Sequence, residues 1–230
     1  MDTEQITKAS LLKAQFGIFF KNPIARPDLL TRKVADEFSD YFDSAPINLP
    51  IPAEILEFPV AQLRSSNNKW QVNVSRVRAD VIFTPDENQN YEDIKTNSEK
   101  IVEILLKLID EATSQKVEVA RVTNISNFFK TTESPIQELQ KLYFKNENAK
   151  ISELMIRFNE PIVESNLNCN NLIQFETGQT VNINEGKESA GILITRDFNT
   201  DPKKKDSLTK KEIEEFIKIA TKHSHSPLLD

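Results

Sequence analysis

Glycine is scarce in this chain: Gly17, Gly178, Gly186 and Gly191 are the only four in 230 residues. Phosphate-cradling loops and nucleophile elbows need clustered glycines, because only there can backbone come close to a ligand. These four form no such cluster. A single cysteine, Cys169, allows no internal disulfide and suits a reducing cytoplasm. It sits in Asn168-Cys169-Asn170-Asn171, a polar, turn-like setting with no histidine or basic neighbour to make a thiolate, so a structural thiol is expected. Only two histidines occur, His223 and His225, near the C-terminus with Pro227 close behind. A metal would need further carboxylates or thiols converging on them, and Asp230 is the nearest later carboxylate. A frayed tail is expected there, and no third histidine remains for a Ser-His-Asp group elsewhere.

Long apolar runs are also missing: none approaches the roughly 18–20 residues that span a bilayer. The start, Met1-Asp2-Thr3-Glu4-Gln5, lacks the basic residues of a secretory signal. These features predict a cytoplasmic protein with no membrane segment. Acidic residues outnumber basic ones, 35 to 29, for a net charge of -6, which disfavours nonspecific nucleic-acid binding over the whole surface but leaves room for a local basic patch.

What the chain does have is patterning. In Lys69 to Phe83, Trp70, Val72 and Val74 alternate with Gln71, Asn73 and Ser75, giving one apolar and one wet face. The phase slips at Ser75-Arg76, after which Val77, Ala79, Val81 and Phe83 continue the apolar row. With no Gly or Asn at the slip, a long strand with a bulge is preferred over two strands meeting at a tight turn.

Leu11 to Phe20 reads as a first strand, followed by a helix from Pro27 to about Phe42, with Leu30, Val34, Phe38 and either Tyr41 or Phe42 on one face. Ala45 to Pro52 is a proline-punctuated loop. Ile55 to Leu63 reads as an edge strand broken at Pro59, and Asn67-Asn68 turns it into the strand starting at Trp70. Tyr91 to Thr113 gives the strongest helical stripe, with Ile101, Leu105, Leu108 and Ala112. A strand over Val117 to Phe129, a helix from Ser134-Pro135 to about Phe144 and a strand over Ile151 to Val163 follow. Short strands are expected at Leu172–Phe175, Thr180–Ile183 and Gly191–Thr195, with Gly178 and Gly186 in turns, then a last helix from Ser207 to about Lys222.

The series strand, helix, strands, long helix is thus stated twice. Phe19-Phe20-Lys21 returns as Phe128-Phe129-Lys130, and Glu54 to Phe58 is echoed by Glu153 to Phe158. The fold class expected is α+β: mostly antiparallel sheet with helices on one face, in two halves, 1–115 and 116–230, able to pack as one domain. An internal duplication is one account of the doubled series, and a chance likeness in composition between two α+β segments is the other.

The strand carboxylates Asp80 and Glu118 are the least implausible pair for a metal-dependent hydrolase, but Arg78 beside Asp80 favours a cross-strand ion pair instead. Arg64, Arg76, Arg78 and Arg121 could build a nucleic-acid platform with Trp70, although Trp70 falls on the apolar row. Lys203, Lys204, Lys205, Lys210 and Lys211 form the one dense basic run, at a loop and a helix start where positive charge gains nothing from the helix dipole. No catalytic constellation, cofactor loop or metal cluster emerges, and no cofactor is expected. The favoured reading is a non-enzymatic interaction protein, a subunit or inhibitor within a larger complex, docking through a sheet face or an edge strand. A nucleic-acid-binding module using Arg76, Arg78 and the lysine run is the alternative. The sequence leaves the oligomeric state open.

Overall fold

The computed structural model describes residues 9–86, 91–144, 151–182, 187–203 and 206–224. Nine antiparallel strands form one sheet, and four helices pack on one side of it, an α+β fold. In chain order these are β1 (Ser10–Phe20), α1 (Pro27–Glu37), β2 (Ile47–Asn48), β3 (Ala61–Arg64), β4 (Trp70–Val74), β5 (Arg78–Phe83) and α2 (Tyr91–Ser114). Then come β6 (Val119–Thr131), α3 (Pro135–Tyr143), β7 (Met155–Glu164), β8 (Leu167–Asn182), β9 (Lys187–Thr200) and α4 (Lys210–Ser224). The sheet order is β2-β3-β4-β5-β1-β6-β9-β8-β7. Apart from the two-residue β2, each half contributes strand, helix, three strands and helix, and the strand order reads alike inward from either edge. β1 and β6 pair at the centre, so the sheet runs unbroken from one half into the other.

Alternation sets the layers. On β1, Ala14, Phe16, Ile18 and Phe20 face the helices, while Lys13, Gln15, Gly17 and Phe19 face away. Ile101, Ile104, Leu105, Leu108 and Ile109 of α2 close over this half, and Ile213, Phe216 and Ala220 of α4 over the other. Among the described residues no helix is long and apolar enough to cross a membrane.

The slip at Ser75-Arg76 is a turn, contrary to the bulge expected there. Val74 pairs with Ala79, so β4 and β5 are two strands of a hairpin whose apolar rows share a face. The turn needs no glycine because the Ser75 hydroxyl accepts the N–H groups of Val77 and Arg78 at 3.2 and 3.0 Å, while the Ser75 N–H donates to the Arg78 carbonyl at 2.8 Å. The Asn67-Asn68 hairpin forms as expected, with Asn68 left-handed at φ 59°.

Several boundaries differ from the periodicity. α1 stops at Glu37, and Phe38 and Phe42 reach the core from the turn that follows it. Residues 54–58 are not a strand, so their echo of 153–158 does not mark equivalent elements. The short strands expected after Leu172 are parts of two long ones: Gly178 lies inside β8, opposite Gly191 of β9. Gly186 and Ile183 fall outside the described residues. The β7–β8 turn is instead Ser165-Asn166, both left-handed at φ 52° and 63°, the pairing that a two-residue hairpin loop requires. Asn168-Cys169-Asn170-Asn171 is strand rather than turn. α4 is capped by Thr209, whose hydroxyl accepts the Glu212 N–H at 3.2 Å while the Glu212 carboxylate accepts the Thr209 N–H at 2.7 Å.

Candidate functional site

Two surfaces stand out, and the first is the sheet face opposite the helices. By strand alternation and pairing it carries, among the described side chains, five basic residues, Lys13, Arg64, Arg78, Arg121 and Arg157, against three acidic ones, Asp80, Asp197 and Glu176. That is a local positive excess in a chain of net charge -6. Polar side chains bond to one another across it. Gln15 Nε2 and Arg78 Nε donate to Asp80 Oδ1 at 2.9 and 2.7 Å. On the other side of the centre, Thr123 Oγ1 and Asn199 Nδ2 donate to Asp197 Oδ1 at 2.7 and 3.0 Å. Gln71 to Asn73 and Arg64 to Gln62 extend the network outward.

Phe19 is the hub of this face. β5 and β6 flank β1 and place Arg78 and Arg121 opposite Phe19. Both guanidiniums lie over its ring, at 4.5 and 5.0 Å from the centroid. Arg78 Nη2 lies 2.7 Å from Asp80 Oδ1 without the angle of a hydrogen bond, and Arg121 Nε, also buried, has no hydrogen-bond partner among the described residues. Gly17 makes room for the arrangement, since a Cβ there would sit 2.5 Å from Asp80 Oδ1. Burial pushes the Asp80 carboxyl up, against the opposing pull of Arg78 and Gln15.

The other expected residues are scattered. Arg76 occupies the β4–β5 turn and donates to the Ala25 carbonyl at 3.4 Å. Trp70 is core, packed against Tyr41 and Phe83, so it takes no part in a surface platform. Lys210 pairs with Asp110 at 2.5 Å, Lys211 and Lys203 are exposed, and Lys204 and Lys205 lie outside the described residues. Asp80 and Glu118 do not form a pair: Glu118 meets Lys21 at 3.5 Å and Ser207 at 2.9 Å, at the start of β6. The Arg78–Asp80 ion pair is real but runs along one strand instead of across two. Among the described residues no group of three or more His, Cys, Asp and Glu could hold a metal. His223 belongs to α4 and stacks on Phe198 at 5.0 Å, so it is packed and not frayed, while His225 lies outside the described residues. Cys169 is 2 % exposed, and burial, helped by Glu164, pushes its thiol up to about 11.

The second surface is the edge formed by β7. Ten residues long, it pairs only with β8, and its outward side meets no described strand. Met155, Phe158 and Val163 are exposed, Val163 at 74 %. Beside it, short α3 leaves Leu142, Tyr143 and Phe144 uncovered, and Tyr143 stacks on Phe158 and Phe175 at 5.4 Å each. An apolar shelf thus borders an unpaired strand. Two cavities lie elsewhere. One, of about 370 Å³, lies between Asn22–Leu29 and Gln115–Glu118, and one of about 290 Å³ is lined in part by Asn166, Thr200 and Lys203. No protein-family model matches the chain, and no curated protein matches it either.

Proposed function

We propose that this chain is a non-enzymatic interaction protein, a subunit or inhibitor within a cytoplasmic complex, that docks a partner by strand addition to β7. The supporting observation is the coincidence of a ten-residue unpaired edge with the exposed shelf of Leu142, Tyr143, Phe144 and Phe158. An added strand would meet the free main-chain groups of β7, and its alternate side chains would cover the shelf. Folded proteins seldom leave such an edge bare, because it invites indiscriminate pairing. Pro161, which has no N–H to offer, and the charges of Arg157 and Glu160 act as guards that restrict which strand fits.

The test is capture from the source cell followed by hydrogen exchange on the purified complex. The β7 amides are expected to become protected, and a Phe158→Glu, Val163→Lys double variant is expected to lose the partner while unfolding at an unchanged denaturant midpoint. If the double variant captures the same partner equally well, or β7 exchanges at the same rate bound and free, strand addition is wrong.

A further inference from the structure

We propose that Arg78, Phe19 and Arg121 form a phosphate clamp that holds single-stranded nucleic acid on the sheet face opposite the helices. The three residues come from neighbouring strands in direct register, so the spacing of the two guanidiniums is fixed by the sheet. Stacking on the Phe19 ring further restrains both planes, which lowers the ordering cost when they bind an anion. Arg121 Nε has no acceptor among the described residues, so this guanidinium keeps donor capacity to spare for a phosphate.

The surroundings favour a chain-like ligand over a small ion. Neither of the two cavities described above includes Arg78, Phe19 or Arg121. A strand carrying one charge per unit gathers many contacts across an open face with a basic excess. Arginine is suited to phosphate through its planar fork of donors. Asn127 on the same face offers an amide of the kind that reads base edges. Phe19 is covered by the two guanidiniums, which leaves bases to stack on arginine planes rather than on the ring.

Fluorescence anisotropy with a labelled single strand of about twelve nucleotides, titrated from about 50 to 200 mM salt, tests this. The expected result is measurable binding at low salt. Arg121→Ala should weaken it about tenfold and flatten the slope of log affinity against log salt by roughly 0.7. Phe19→Leu keeps both charges, so it should weaken binding with little change in slope. Arg121→Lys, a gentler change, should keep the slope and lose part of the affinity. Lys203→Gln and the Phe158→Glu single variant should bind like wild type, which separates this site from the edge. Absence of binding at low salt would overturn the clamp, as would full binding by Arg121→Ala. Loss confined to Lys203→Gln would move the site to the lysine run. Equal, Arg121-dependent binding of polyglutamate would show a site for acidic peptides instead.

Discussion

The two halves share a plan and differ in how well they are covered. In the N-terminal half the rows facing the helices are apolar throughout: Ala61 and Leu63, then Trp70, Val72 and Val74, then Ala79, Val81 and Phe83. The 24-residue α2 lies across them and the outer edge shrinks to the two residues of β2. In the C-terminal half the equivalent rows are interrupted by buried Asn124, Ser126, Asn171 and Arg196. The outermost strands there meet the nine-residue α3 and, at the Glu164 end of β7, the C-terminal part of α4, and β7 remains open for ten residues. The difference teaches that the first half is built chiefly for cohesion, while the second gives up cover and apolar continuity where the chain has a surface to offer.

The largest effect should separate the helices. Leu105 of α2 and Leu139 of α3 are both fully buried. Leu105→Ala should cost about 4 kcal/mol and Leu139→Ala about 2 kcal/mol, since a short, half-exposed helix can collapse onto the gap. Denaturant unfolding of the two variants checks this, and equal costs would erase the contrast in cover.

A glycine pair sharpens the picture within the second half. A Cβ on Gly191 would meet the Lys130 carbonyl at 2.3 Å and the Phe129 ring at 2.5 Å, whereas one on Gly178, directly opposite, meets nothing within 4 Å. Gly191→Ala should therefore lose about 3 kcal/mol, because backbone must move. Gly178→Ala should stay within about 0.5 kcal/mol of wild type. Thermal unfolding of both is the measurement. A neutral Gly191→Ala would mean that β6 and β9 pack more loosely than their pairing indicates.

The smallest effect concerns Cys169. Its folded thiol titrates near 11 against an ordinary 9.0. Below pH 9 both states are protonated and the shift has no effect. Between pH 9 and 11 the unfolded thiol ionises while the folded one does not, so stability falls by on the order of 2 kcal/mol. Cys169→Val should remove that part of the alkaline loss, as followed by urea unfolding across the range. The same burial predicts that the native thiol resists alkylation near pH 8 and reacts only after unfolding.

The sequence was most legible where alternation was clean. β1, the β3–β4 hairpin and α2 follow directly from their apolar spacing, and with them the α+β class. The β4–β5 turn was misread because Ser75 does with a hydroxyl what glycine was expected to do with its backbone. β8 and β9 looked fragmented because Asn171 and Arg196 face the helices where apolar residues were expected, so period two was lost in the pattern while it persisted in the backbone. Arg78 and Arg121 were grouped with Arg64 and Arg76, and with Trp70 instead of Phe19. Their meeting over Phe19 depends on the register of three strands far apart in the chain, which no local window contains. The β7 edge was concealed for the same reason: nothing in Met155 to Glu164 says that only one neighbour arrives.

The strand order that reads alike from both edges places β1 and β6 where two subunits would meet in a symmetric dimer. Here that seam is internal, and both sides are encoded by one chain. A dimer of identical copies must repeat every change on both flanks. A chain with its seam inside is free of that obligation, and it can end one flank in a two-residue stub while the other stays a ten-residue ledge. A strand added to the ledge under the proposed docking would find no equivalent place on the opposite flank, and assembly through it would stop at one partner per chain.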